Sequence, residues 1–120
     1  MHKKILIVDD DQGICNALAI LLREEGYCVD ATTDSMKAVT LIKKRKHDVC
    51  FFDYKMRGLN GIELSKKVKD VNPGCLVFII SGMLNIDELC CKEIKNGLIA
   101  GIISKPFDVD ALLQRIAEVA

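Results

Sequence analysis

Neither charge sign predominates in this sequence: Lys+Arg and Asp+Glu number 17 each, and the formal net charge is zero. A domain built to coat nucleic acid or an anionic membrane carries a basic excess, so direct contact with either is not expected. Long apolar runs are missing as well. Runs such as Leu76 to Ile80 are far too short to cross a bilayer. The opening Met1-His2-Lys3-Lys4 leads into a short apolar run that stops at Asp9, so the pattern of a secretory h-region is absent. Two histidines, and six cysteines with no Cys-x-x-Cys pair among them, exclude a zinc site of ordinary spacing. Those cysteines (Cys15, Cys28, Cys50, Cys75, Cys90, Cys91) sit inside apolar stretches. They are expected to be buried free thiols in a reducing cytoplasm, with one of the adjacent Cys90 and Cys91 facing solvent.

What is present is a regular alternation. Half of the 120 residues are hydrophobic, enough for one sizeable core, and residues 1–120 read as one domain. Five short runs rich in β-branched and aromatic residues begin at Ile5, Tyr27, Val49, Leu76 and Gly101 and read as strands buried on both faces. The second, with Asp30 inside it, reads as an edge. Between them lie stripes of helical period: Ile14, Leu18, Leu21, Leu22; Ala38, Leu41, Ile42; Leu64, Val68, Val71; Ile86, Leu89, Cys90, Ile94; and Val109, Leu112, Leu113, Ile116, Ala117. Asn60 with Glu63, and Asn85 with Glu88, have the form of capping boxes, and Gly26 and Gly97 stand where helices should end. The pattern is (βα)5, an α/β domain with right-handed crossovers and a parallel sheet.

In such a sheet a ligand site forms outside the carboxyl ends of the strands. The first strand runs into Asp9, Asp10 and Asp11, the third ends at Asp53, the fourth at Ser81-Gly82 and the fifth at Ser104-Lys105-Pro106. The flavodoxin-like order 2-1-3-4-5 is borrowed from that fold, since periodicity alone gives no strand order. In that order strands 1 and 3 lie side by side, and Asp9, Asp10 and Asp53 converge. Converging carboxylates repel, and a hard divalent cation with oxygen ligands, Mg²⁺ or Mn²⁺, relieves them. With Lys105 as a second positive charge and the Ser81 hydroxyl as a donor, the set suits phosphoryl transfer. Taken singly, each residue has a plainer reading: a helix cap or solvated loop for Asp9 to Asp11, turn chemistry for Asp53, a loop hydroxyl for Ser81, a strand stop for Lys105-Pro106.

Taken together, Ile5-Leu-Ile-Val-Asp-Asp-Asp11, Phe52-Asp53-Tyr-Lys-Met56 with Gly58 and Asn60-Gly61, Ile80-Ser81-Gly82 and Ser104-Lys-Pro-Phe-Asp108 resemble the receiver domain of two-component response regulators across essentially the whole chain. The resemblance implies that Asp53 accepts a phosphoryl group from a sensor histidine kinase or phosphotransfer protein. It implies that Asp10 binds Mg²⁺, that Asp9 assists, that the Lys55 carbonyl is a further ligand, and that Ser81 and Lys105 contact the phosphoryl oxygens. Asp11 is left as the cap of the first helix. It further implies a switch in the face formed by helix 4, strand 5 and helix 5, through which family members often form homodimers.

Three features depart from the family's pattern. Arg57 stands where proline is usual, Ile102 where an aromatic ring usually couples the hydroxyl to the output face, and the stretch from Gly97 to Lys105 is one residue longer. A quieter or differently wired switch is therefore expected. Two other classes remain open: a receiver-like interaction module that is never phosphorylated, and a Mg²⁺-dependent phosphohydrolase with an aspartyl nucleophile. The second lacks the acid/base aspartate two residues after the nucleophile, where Lys55 stands. A flavoprotein fits worst, since three acids replace a phosphate cradle. Met56 and Met83 read as packing residues, Phe107 as cover for the core beneath the last helix, Lys43 to Lys46 as a solvated basic helix end, and His47 as exposed and inert.

Overall fold

A computed structural model describes residues 3–119. Strands β1 (Lys4–Val8), β2 (Cys28–Thr32), β3 (Val49–Asp53), β4 (Leu76–Ser81) and β5 (Gly101–Ser104) form one parallel sheet in the order β2-β1-β3-β4-β5. Helices α1 (Gln12–Glu24), α2 (Ser35–Lys44), α3 (Gly61–Val71), α4 (Ile86–Leu89), α5 (Cys91–Lys95) and α6 (Val109–Val119) cover it.

The strands' period of two splits the interior into two layers. Leu6, Val8, Cys50, Phe52, Val77 and Ile79 point to one face, where Ala38 and Ile42 of α2 and Leu64 and Val68 of α3 close over them. Ile5, Ile7, Phe51, Phe78 and Ile80 point to the other, under Leu18 and Leu22 of α1 and Leu112 and Ile116 of α6. Phe107 packs against this second layer, as expected, and Met56 against the first.

The caps follow the sequence in part. At Asn60 the side chain accepts from the Glu63 N–H while Glu63 reaches back to the Asn60 N–H, a complete capping box. Gly26 (φ +93°) and Gly97 (φ +79°) end helices in the left-handed region, where a side chain would strain. The second expected box fails: Asn85 has φ −104° and ψ 22° and its side chain caps nothing, because capping needs an extended residue. The helix after it is also not the single amphipathic one its stripe suggests. It breaks at Cys90 into α4 and α5, since only Ile86 and Cys90 reach the core while Leu89 and Ile94 stay exposed. So little buried surface gives a short helix no tertiary reason to be regular.

Three further expectations are corrected. His47 is not exposed: it is 4% accessible, its Nε2 lies 2.8 Å from Asp30 Oδ2, and Arg45 contacts the same carboxylate at 3.0 Å. A carboxylate on edge strand β2 gives the ring the polar partner that its burial requires. Cys28 is exposed on that edge strand, whereas Cys15, Cys50, Cys75 and Cys90 are buried and Cys91 faces solvent. Met83 is also exposed and is not part of either buried layer. No helix among the described residues is long and apolar enough to cross a membrane.

Phe51 and Phe78, on adjacent strands, stack with ring centroids 5.6 Å apart. Phe51→Ala is expected to cost about 3–5 kcal/mol in urea unfolding at neutral pH, the usual cost of an aromatic-sized hole in a close-packed core.

Candidate functional site

The register brings the chemistry together. Val8 pairs with Phe52, so the next residues, Asp9 and Asp53, leave neighbouring strands side by side. Ser81 pairs with Ser104, so Lys105 follows directly at the end of β5, and its backbone N–H donates to the Ser81 carbonyl at 2.8 Å. One carboxylate oxygen from each of Asp9, Asp10 and Asp53 lies within 4.8 Å of the others.

Their surroundings differ. Asp10 is exposed, Asp53 is 8% accessible and Asp9 is fully buried. One oxygen of Asp9 accepts the Asp11 N–H at 2.9 Å. The other, Oδ2, is buried without a hydrogen bond of good geometry, and among the described residues its one charged partner is the Lys105 ammonium, 2.9 Å away. That ammonium also lies 3.4 Å from Asp53 Oδ2. Desolvation first, then the charge of Asp9, push the Asp53 carboxyl up to about 6, against the pull of Lys105. Burial alone would lower the Lys105 ammonium, yet the close contact and charge of Asp9, with Asp53 behind them, hold it above its ordinary value.

Three converging carboxylates, two of which share one ammonium, fit a hard divalent cation well. The donors are all oxygens, they already converge, and a buried carboxylate oxygen stands without a hydrogen bond.

Asp11 lies apart from this set. Its Oδ1 accepts the Ile14 N–H at 3.2 Å and caps α1, as expected. Ser81 is buried at the end of β4, and its Oγ accepts the Met83 N–H at 3.0 Å. Lys55 is exposed in the loop after β3. Ile102 is half-buried against the first core layer. Two residues carry more of the site than their sequence pattern suggests. A side chain at Gly61 would come within 2.6 Å of the Asp53 carbonyl, so glycine there lets α3 start directly under the site. Ser35 bonds the loop after β3 from the start of α2, and a lone serine after a capping aspartate carries no signal of it.

Three carboxylates and a lysine thus converge at the carboxyl ends of a doubly wound parallel sheet, where α/β domains of this kind bind their ligands. The family model of the response regulator receiver domain matches residues 5–117, and the chain belongs to that family, the receiver domains of two-component signalling. It is 31% identical over 112 residues to the sporulation initiation phosphotransferase F of Bacillus subtilis, covering 93% of this chain and 89% of that protein. It is 32% identical over 114 residues to the transcriptional regulatory protein ZraR of Klebsiella oxytoca, covering 95% of this chain and 25% of that one. The chain thus spans about a quarter of the length of the transcriptional regulators it matches. Among solved structures, a receiver domain protein from Methanospirillum hungatei superposes with a TM-score of 0.88 at 28% identity, over 98% of this chain and 93% of that one. NtrX from Brucella abortus gives 0.87 at 31% identity, over 99% of this chain and 27% of that one.

The raised Asp53 carboxyl has a consequence for stability without divalent cations. The folded group keeps its proton up to about pH 6, while its ordinary value is 3.8. Protonation therefore favours the native state, and this contribution is complete below 3.8 and lost as pH rises to about 6. Asp53→Asn is expected to stabilise the metal-free protein by about 1–3 kcal/mol at neutral pH, with the gain shrinking as the solution is acidified through that window. Thermal unfolding against pH checks it, and a gain that grows on acidification contradicts it.

Proposed function

We propose that this chain is a phosphoacceptor switch in which Asp53 takes a phosphoryl group from the phosphohistidine of a sensor histidine kinase or phosphotransfer protein. The observation that carries the reading is the convergence of Asp53 with two further acids and one lysine at the strand ends. A carboxylate oxygen of Asp53 attacks phosphorus, and the P–N bond to the donor's imidazole breaks as the new O–P bond forms. Lys105, which already bridges Asp9 and Asp53, would balance the charge arriving on the phosphoryl oxygens. Ser81 would donate its hydroxyl proton to one of those oxygens. In support, its Oγ accepts only the Met83 N–H among the described residues, so its own proton is uncommitted. Asp9, Asp10 and Asp53, with the Lys55 carbonyl, would hold Mg²⁺ or Mn²⁺. Bound there, the cation would offset the acids' mutual repulsion and the negative charge of the phosphoryl group.

The signal would leave through the face of α4, α5, β5 and α6, where homodimers could also form. From a domain of zero net charge we expect no direct contact with nucleic acid or membrane, and a cytoplasmic location. Self-phosphorylation and self-dephosphorylation at Asp53 would be its only chemistry. The phosphohydrolase reading has less support, because Lys55 occupies the position of a second catalytic aspartate and no turnover of a generic phosphate ester is expected.

Intact mass after incubation with acetyl phosphate is the test. We expect a gain of one phosphoryl group that requires Mg²⁺ and disappears in Asp53→Ala. No gain under any condition would leave an unphosphorylated interaction module as the better account.

A further inference from the structure

We infer that Ser35, which lies outside the acid pocket, is a positioning residue for divalent-cation binding, because its buried hydroxyl holds the loop that carries the Lys55 carbonyl. This rests on the receiver reading above and adds a residue to it.

Ser35 is the first residue of α2 and is 4% accessible. The cap of that helix is already supplied by Asp34, whose Oδ1 accepts the N–H groups of Met36 and Lys37. The serine hydroxyl is therefore free for the neighbouring loop. It donates to the Arg57 carbonyl at 3.0 Å and accepts the Leu59 N–H at 3.1 Å. Between those two partners stands Gly58 with φ +78°, where a side chain would meet Ser35 Oγ at 2.5 Å. The left-handed residue and the hydroxyl thus fit one another, and three successive loop residues are set by a single oxygen.

The middle of the loop depends on this hydroxyl. Its neck is closed by Gly61 N–H to the Tyr54 carbonyl and Tyr54 N–H to the Ile80 carbonyl, both at 3.1 Å. Among the described residues, the two bonds to Ser35 are the hydrogen bonds made by the backbone of residues 55–59. Residue 57 is an arginine, so the φ restraint that a proline would bring is absent. A carbonyl ligand binds a cation well only if it is already in place before the cation arrives, since ordering it on binding costs affinity.

Calorimetric titration with Mg²⁺ tests this on the whole chain. Ser35→Ala is expected to bind Mg²⁺ about fivefold more weakly than wild type, the change that one net hydrogen bond represents. Adding Arg57→Pro to that variant should recover most of the loss by restoring a restraint on the loop. Ser65→Ala is the control. Ser65 is a second buried serine, and it donates to the Gly61 carbonyl inside α3. That variant should lose stability yet keep its affinity. Independently of any variant, the Leu59 amide of the metal-free wild type should exchange slowly with solvent, and faster in Ser35→Ala. Equal affinity in wild type and Ser35→Ala overturns the inference. So does an equal loss in Ser65→Ala, a double variant no better than Ser35→Ala, or rapid exchange of Leu59 in wild type. If wild type itself takes up no Mg²⁺, the cation-dependent phosphoacceptor reading falls and this inference falls with it.

Discussion

The structure is organised around an electrostatic imbalance: carboxylates from two central strands are withdrawn from water and share one ammonium. Asp9 has no accessible surface and Asp53 has 8%. Lys105 lies 2.9 Å from the first and 3.4 Å from the second, and it cannot neutralise both. Burying charge without full compensation costs stability. Here the cost is carried by a sheet whose interior strands are apolar on both faces, with every residue of β3 buried. The core supplies what the pocket consumes, and the pocket remains a place where positive charge or a proton is welcome.

The two ends of the sheet differ in this respect. At the amino end, polar groups are matched. His47 and Arg45 meet Asp30, the Lys4 N–H donates to Asp48 at 2.8 Å, and Asn72 donates to the His47 carbonyl at 2.9 Å. At the carboxyl end the fully buried Asp9 Oδ2 has an ion pair and no hydrogen bond. A fold that can satisfy its polar groups at one end is not constrained by its topology to leave them unsatisfied at the other. The asymmetry marks the carboxyl end as the place where stability has been exchanged for chemistry.

Much of this is readable from the residues. Strands buried on both faces announce themselves as unbroken β-branched runs, so β1, β3, β4 and β5 are located to within a residue or two of their ends, and β2 is marked as an edge by Asp30. Reading the residue at each strand end then finds Asp9, Asp10, Asp53, Ser81 and Lys105. The strand order comes from the family's fold, because periodicity carries no information about which strands neighbour each other. What stays hidden depends on tertiary partners. A histidine in a loop is exposed by default, and only the fold brings Asp30 to His47. The helical stripe after β4 is real in spacing but finds too little core to pack against. Ser35 acts across a gap of 22 residues in sequence, where no local pattern can show it.

A weakly anchored helical segment adjoins the site, and that location has mechanical meaning. The Ser81 hydroxyl is tied to the Met83 N–H, and Met83 leads through the exposed Leu84 into α4. That helix has four residues, no side-chain cap and one buried residue, Ile86. If the Ser81 side chain is drawn toward a phosphoryl oxygen as it donates its proton, the Oγ that accepts the Met83 N–H moves with it. The loop then moves at little cost, because few buried contacts hold it. In many receivers an aromatic ring would report the same motion to the surface, whereas Ile102 offers only a half-buried aliphatic side chain. A poorly anchored α4 therefore offers an alternative carrier: the signal can pass as a displacement of backbone between Ser81 and Ile86, with no ring needed to transmit it.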